Sequence, residues 1–201
     1  PLLIHPTSEQ AQNALFDLGI DESKFDTFTA LCDAIVEWNE RINLVSRKDC
    51  SPPTVFTRHV LPCAAAHGMS ELESCSSLID VGTGGGFPGL VLAILYPDTH
   101  CVLLDSVGKK LVAVQDIADS LGLTNVQTHH GRAEEFANQR FLVATGRSVS
   151  AIPQFCAWMQ HLLEPDGNLL YWIGGDVPED VLSLATSDSS VASRVSALQE
   201  S

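Results

Sequence analysis

The chain has 201 residues, 45% of them apolar, and its 11 basic against 25 acidic side chains give a formal net charge of −14. That length and apolar share suit one domain with a sizeable core and exclude global disorder, while no apolar run approaches the roughly 20 residues of a membrane span. Six cysteines (Cys32, Cys50, Cys63, Cys75, Cys101 and Cys156) lie far apart with no C-x-x-C pair, which speaks against a zinc ribbon or a disulfide scaffold and points to reduced thiols in a cytosol-like compartment.

The chain begins at Pro1, which implies a trimmed start, and Pro1 to Ser8 carry no secretory signal pattern. The first 70 residues read as helical. Gln10 to Leu18 and Lys24 to Glu40 place apolar residues at helical spacing (Phe25, Phe28, Leu31, Ile35, Trp38), with Asp21 and Lys24 suited to a helix start after Gly19. From about residue 78 short apolar runs alternate with helical segments. Leu78 to Val81, His100 to Leu104, Val126 to His129, Phe141 to Ala144 and Asn168 to Ile173 read as strands. Pro88 to Leu95, Gly108 to Leu121, Ala151 to Leu163 and Pro178 to Ala185 read as helices, and Val191 to Leu198 is the remaining stretch able to form a last strand. This alternation predicts an α/β fold, a mostly parallel sheet with helices on both faces, whose ligands bind at the carboxyl ends of the strands. Residues 1–70 form a helical cap and 71–201 a Rossmann-like core within a single domain.

The run Leu78-Ile79-Asp80-Val81-Gly82-Thr83-Gly84-Gly85-Gly86-Phe87-Pro88-Gly89 takes an apolar strand through a turn of small residues into a helix. Phe87 stands where a dinucleotide fingerprint needs its third glycine, and the run lacks the Lys and Ser/Thr of a phosphate-cradling loop. A nucleoside without a pyrophosphate fits better, and D-x-G-x-G-x-G is the turn typical of S-adenosylmethionine enzymes. In that reading Asp80 lies near the amino acid portion of the cofactor, and Gly82 and Gly84 let it cross the strand end. Asp105 ends the second strand 25 residues after Asp80, where a carboxylate can accept ribose hydroxyls. After the third strand, Gly131-Arg132-Ala133-Glu134-Glu135-Phe136 offers the Ala133 N–H and the Glu134 side chain to an adenine edge, and Phe87 can pack against the ligand. Glu134 and Glu135 also suit the start of a helix.

The acidity of the chain argues against nucleic acid, yet eight of the eleven basic residues (Arg41, Arg47, Lys48, Arg58, Lys109, Lys110, Arg132, Arg147) fall in or beside these segments, and local potential steers a polyanion. Seven histidines, among them His129 and His130, show no metal spacing.

Taken in order, Asn39-Glu40-Arg41-Ile42-Asn43-Leu44, Arg58-His59, the D-V-G-T-G-G-G-F-P-G run, Leu104-Asp105-Ser106-Val107-Gly108-Lys109-Lys110, Gly131-Arg132-Ala133-Glu134 and Arg147-Ser148-Val149 resemble the bacterial small-subunit ribosomal RNA guanine-N7 methyltransferases, also called glucose-inhibited division protein B. The resemblance runs from about Trp38 to Gly175. It implies a class I S-adenosylmethionine-dependent methyltransferase with cofactor contacts at Gly82, Phe87, Ala133, Glu134 and Arg147 and with Asp105 on the ribose. It also implies an RNA-facing pocket bordered by Asn43, Arg58, His59 and Lys109. The substrate would be small-subunit (16S) ribosomal RNA or a 30S-type particle, and the protein a cytoplasmic monomer without metal or membrane. The chain departs from the family pattern twice: Leu61-Pro62-Cys63 stands for the usual Leu-Asp-Ser after Arg-His, and Trp172-Ile173-Gly174-Gly175 for a segment that usually contains Lys-Gly.

Guanine N7 has a lone pair and no proton, so methyl transfer to it needs placement rather than a general base; Arg147, beyond the fourth strand, is the expected catalytic contact. Two other readings suit the same residues: a methyltransferase of small molecules or proteins, and an inactive member that binds cofactor or RNA during ribosome assembly.

Overall fold

The computed structural model describes residues 3–47, 50–137, 139–174 and 195–200. Six parallel strands, β1 (Ser77–Val81), β2 (His100–Asp105), β3 (Val126–His130), β4 (Phe141–Arg147), β5 (Leu163–Gly174) and β6 (Val195–Glu200), form one sheet in the order β3-β2-β1-β4-β5-β6. The chain walks outward from β1 to β3, then returns to set β4 against the other side of β1. The crevice at that reversal, beyond the carboxyl ends of β1 and β4, is where sheets of this kind take ligands.

Alternation along the strands sends side chains to two separate cores. Leu78, Cys101, Leu103, Val143, Leu170 and Trp172 face one side. There they meet α6 (Gly89–Leu95) and α7 (Gly108–Ser120) together with the cap helices α1 (Glu9–Asp17) and α2 (Phe25–Asn39). Ile79, Val102, Leu104, Ala144, Leu169, Tyr171 and Ile173 face the other, against α8 (Ile152–Met159) and the 3-10 turn Ala133–Glu135. In α2 the residues Phe25, Phe28, Leu31, Cys32 and Ile35 are buried, the i, i+3, i+4 stripe of a helix that lies on a core. The cap shares its core with the sheet.

The cap continues through a helical run made of α3 (Pro52–Val55), a π-helical stretch Phe56–Val60 and α4 (Leu61–Ala64), followed by α5 (Ser70–Glu73). Ser51 caps the run by accepting the Thr54 N–H, with prolines in the first turn. Three boundaries differ from the sequence reading. β4 reaches Arg147 and so places that side chain on the sheet; the helix after it stops at Met159; and β5 begins at Leu163, paired with Phe141 across a bulge. The expected helix Pro178 to Ala185 lies outside the described residues, as does Lys48. No helix among the described residues is long and apolar enough to cross a membrane.

Candidate active site

The glycine-rich turn is tied to the strand beside it. The Gly82 and Thr83 N–H groups both donate to the Leu104 carbonyl, at 2.8 and 3.0 Å. Gly82 and Gly84 take φ of +70° and +57°, backbone that glycine enters without strain. The Gly84 N–H donates to Asp105 Oδ2 at 2.8 Å, and the other oxygen of the same carboxylate accepts the Val107 N–H at 2.8 Å. Asp105 thus clips the turn after β1 to the turn after β2, and each of its oxygens keeps a lone pair for a ligand.

Asp80 sits behind the turn rather than on its surface. It is wholly buried, accepting the Gly89 N–H at 3.0 Å and the hydroxyl of Thr145, its register partner on β4, at 3.0 Å. Burial pushes its carboxyl up to about 6 against these donations. With these bonds Asp80 fixes the strand-to-helix corner from below.

Two cavities open over the turn and share Gly82. The larger, about 520 Å³, is lined by Leu44, Val45, Thr57, Arg58, His59, Pro62, Gly82, Thr83, Gly84, Gly85, Phe87, Arg147 and Ser148. The smaller, about 310 Å³, is lined by Val81, Gly82, Leu104, Asp105, Ser106, Gly131, Arg132, Ala133, Glu134, Val149 and Trp158. A Cβ on Gly82 would come within 2.8 Å of both Val149 methyl carbons. The Val149 side chain already occupies that space, so glycine is what lets it pack against the turn where the two cavities meet.

One cluster dominates the larger cavity. Arg147 reaches back from the end of β4 to the cap: one guanidinium nitrogen donates to the Arg58 carbonyl at 3.3 Å and the other to His59 Nδ1. The same guanidinium lies 5.6 Å from the centre of the Phe87 ring, within cation–π reach, and the His59 ring stacks on Phe87 at 5.2 Å. Burial first, then the Arg147 and Arg58 charges, hold His59 down to about 4, so its ring is neutral at pH 7.

The cap is fastened to the site at two further points. Asn39, the buried last residue of α2, accepts the Leu44 and Val45 N–H groups at 2.8 and 3.0 Å. Burial pushes the nearby Cys50 thiol up, against a smaller opposing influence of the Asn39 amide. The 40–47 loop is thereby pressed against the turn: the Leu44 carbonyl would lie 3.0 Å from any Cβ on Gly85. At the second point the two departures from the family pattern meet. The wholly buried Trp172 donates its indole N–H to the Pro62 carbonyl at 3.0 Å. Proline has no N–H to return to the carbonyl four residues back, and that carbonyl, Arg58's, is the one that receives Arg147.

Of the residues singled out in the sequence, Gly82, Gly84, Phe87, Asp105, Ala133, Glu134, Arg147, Arg58 and His59 line the two cavities. Asn43 and Lys109 are exposed and line neither. Sequence reasoning missed Asn39 as an organiser, although it stands within the quoted Asn39-Glu40-Arg41-Ile42-Asn43-Leu44 run, and missed Val149 and Trp158 as lining residues. Arg147 was set beyond the strand that in fact carries it.

A family profile described as rRNA small subunit methyltransferase G matches residues 24–199. Curated relatives named ribosomal RNA small subunit methyltransferase G include those of Cytophaga hutchinsonii (36% identical, covering 78% of this chain and 77% of that one) and Flavobacterium johnsoniae (38%, 72% and 70%). Another is that of Chlorobium limicola (35%, 81% and 73%). The chain belongs to the small-subunit ribosomal RNA methyltransferase G family.

Proposed function

We propose that the protein transfers a methyl group from S-adenosylmethionine to N7 of a guanine in a loop of small-subunit ribosomal RNA. The observation that carries this reading is the pair of cavities that share Gly82 at the sheet's reversal point, the larger lined by Arg58, His59 and Arg147 and, among the described residues, by no carboxylate.

The residues fit the cofactor. Asp105, Ala133 and Glu134 in the smaller cavity suit an adenosine, with the Asp105 carboxylate presented to ribose hydroxyls. Gly82 and Gly84 let the ligand pass over the strand end, and Phe87 and Arg147 receive its amino acid end in the larger cavity. When bound, S-adenosylmethionine supplies a methyl group already activated by the positive sulfur that carries it. Guanine N7 brings a lone pair and no proton, so no side chain has to remove one. The work left to the protein is placement, which can lower a barrier by about 7–11 kcal/mol when two groups are well aligned. Arg147 is the group best set to do it: the end of β4 fixes its backbone, and Arg58, His59 and Phe87 fix its guanidinium.

Arg58 and His59 border the entering base, while Asn43, beside the lining residue Leu44, and Lys109, on the first turn of α7, extend the contact to RNA. Access to so recessed a base calls for an unpaired loop or an assembling particle. The protein works as a single copy in the cytoplasm, without a metal.

The net charge of −14 favours one competing reading, a methyltransferase of small molecules or proteins. Methyl transfer from radiolabelled cofactor to small-subunit particles lacking the modification, run beside small-molecule and protein pools, separates the two. Label in the RNA, mapped to a guanine N7, supports the proposal; label confined to the other pools overturns it. S-adenosylhomocysteine binding without any transfer would instead leave an assembly factor.

A further inference from the structure

We propose that His59, locked by Arg147 with its proton on Nε2, is the residue that selects a purine with an oxygen at position 6 over one with an amino group there. This rests on the guanine reading above.

The argument starts from what a guanidinium lacks. Arginine has five N–H donors and no acceptor, so the His59 Nδ1 that meets Arg147 must be the bare nitrogen of the ring. A neutral imidazole with a bare Nδ1 carries its hydrogen on Nε2. The neutral form is the one this setting favours, since the ring is largely buried and faces Arg147 with Arg58 nearby. The ring is also fixed in orientation, stacked 5.2 Å from Phe87 with 28° between planes. Nε2 has no hydrogen-bond partner among the described residues, and His59 lines the larger cavity. An oriented N–H donor is therefore presented in the cavity where the base must enter.

The N7 edge of a purine makes such a donor discriminating. Guanine shows two acceptors there, N7 and O6, whereas adenine shows the N7 acceptor beside an amino donor. A single N–H can pair with O6 and leave the N7 lone pair free for the methyl group; against adenine it meets another donor. Neutrality serves the reaction too, because the base acquires positive charge as N7 is methylated and a cationic histidine beside it would oppose that.

The first test needs no turnover. In protein labelled with ¹⁵N at histidine, the His59 pair of ring signals is identified by its loss in His59→Gln. At pH 7 it should show an unprotonated Nδ1 and a protonated Nε2; the reverse tautomer, or a doubly protonated ring, overturns the proposal. The second uses a small-subunit RNA fragment whose target guanine is replaced by 2-aminopurine, which keeps N7 and lacks O6. Wild-type kcat/KM should fall about tenfold on that substrate, the scale of one good hydrogen bond. His59→Ala should fall similarly on guanine and lose nothing more on 2-aminopurine, and His59→Gln, which keeps an N–H, should retain part of the preference. Losses that multiply, or a His59→Gln as indifferent to O6 as His59→Ala, overturn it. Wild-type protein that methylates no guanine removes the underlying reading and the selection with it, while the tautomer is still judged by the resonance experiment.

Discussion

The two cavities that meet over Gly82 differ in sign. The smaller presents the carboxylates of Asp105 and Glu134 with Arg132; the larger presents Arg58, His59 and Arg147 and, among the described residues, no acid. In a chain with a net charge of −14, the side proposed to admit a polyanion has no negative side chain among the described residues, and the side proposed to receive hydroxyls and an adenine holds the acceptors. Net charge therefore says little about this protein's partner; the placement of a few side chains at one sheet reversal says more.

The largest way to break that contrast is Arg147→Ala. It removes the ties to the Arg58 carbonyl, to His59 and to Phe87 together, and turnover on small-subunit RNA should fall by about 100-fold or more, a loss of roughly 3 kcal/mol in transition-state stabilisation. Steady-state rates and S-adenosylhomocysteine calorimetry on the same sample show how much of this is cofactor affinity. Asp105→Ala comes next. It strips the Gly84 and Val107 N–H groups of their acceptor and removes the carboxylate proposed to meet the ribose, so cofactor affinity should drop about 10- to 100-fold, given about 1.5–3 kcal/mol for hydrogen bonds to a charged group. KM for RNA should stay put; a change confined to RNA affinity would reverse the roles given to the two cavities.

Arg58→Ala sharpens the contrast from the other side. If this cation, beside the entering base, also meets a phosphate, its loss should weaken RNA binding severalfold and lower the slope of log affinity against log salt by about 1, with cofactor binding unchanged. The smallest effect is on stability. His59 titrates near 4 in the folded protein and near 6.5 unfolded. Above pH 6.5 both states are neutral and stability is flat. As pH falls from 6.5 toward 4 the unfolded chain takes up a proton that the folded one refuses, and stability is lost. Relative to His59→Gln, the wild type should lose about 1–2 kcal/mol between pH 7.5 and 5 in denaturant titrations. Asp80, which burial shifts upward, is common to both proteins and cancels. Parallel curves would show that His59 is not held neutral.

The strand and helix pattern was readable because the apolar runs from Leu78 onward are short, regular and punctuated, and because Gly82, Gly84 and Asp105 stand at strand ends where the chain itself dictates their chemistry. The cap's contribution was less visible. Nothing local distinguishes Asn39, whose carboxamide serves N–H groups five and six residues onward. The π-helical turn that carries Arg58 and His59 has no periodic signature. Asp80 illustrates a different limit: its spacing to the glycines announces a ligand-binding turn, but not that the carboxylate is wholly buried and holds the Gly89 N–H and the Thr145 hydroxyl. The pairing of Trp172 with Pro62 spans 110 residues, and two apparently unrelated oddities of sequence become one contact only in three dimensions.

That contact gives the molecule an optical gauge. Trp172 is one of three tryptophans and the one that is wholly enclosed, with its indole nitrogen bound to the segment that bears His59. Emission from an indole shifts to longer wavelength when water replaces such a partner. In a background where Trp38 and Trp158 are phenylalanine, the colour of a single chromophore would report whether the cap is seated on the sheet, before, during and after RNA arrives.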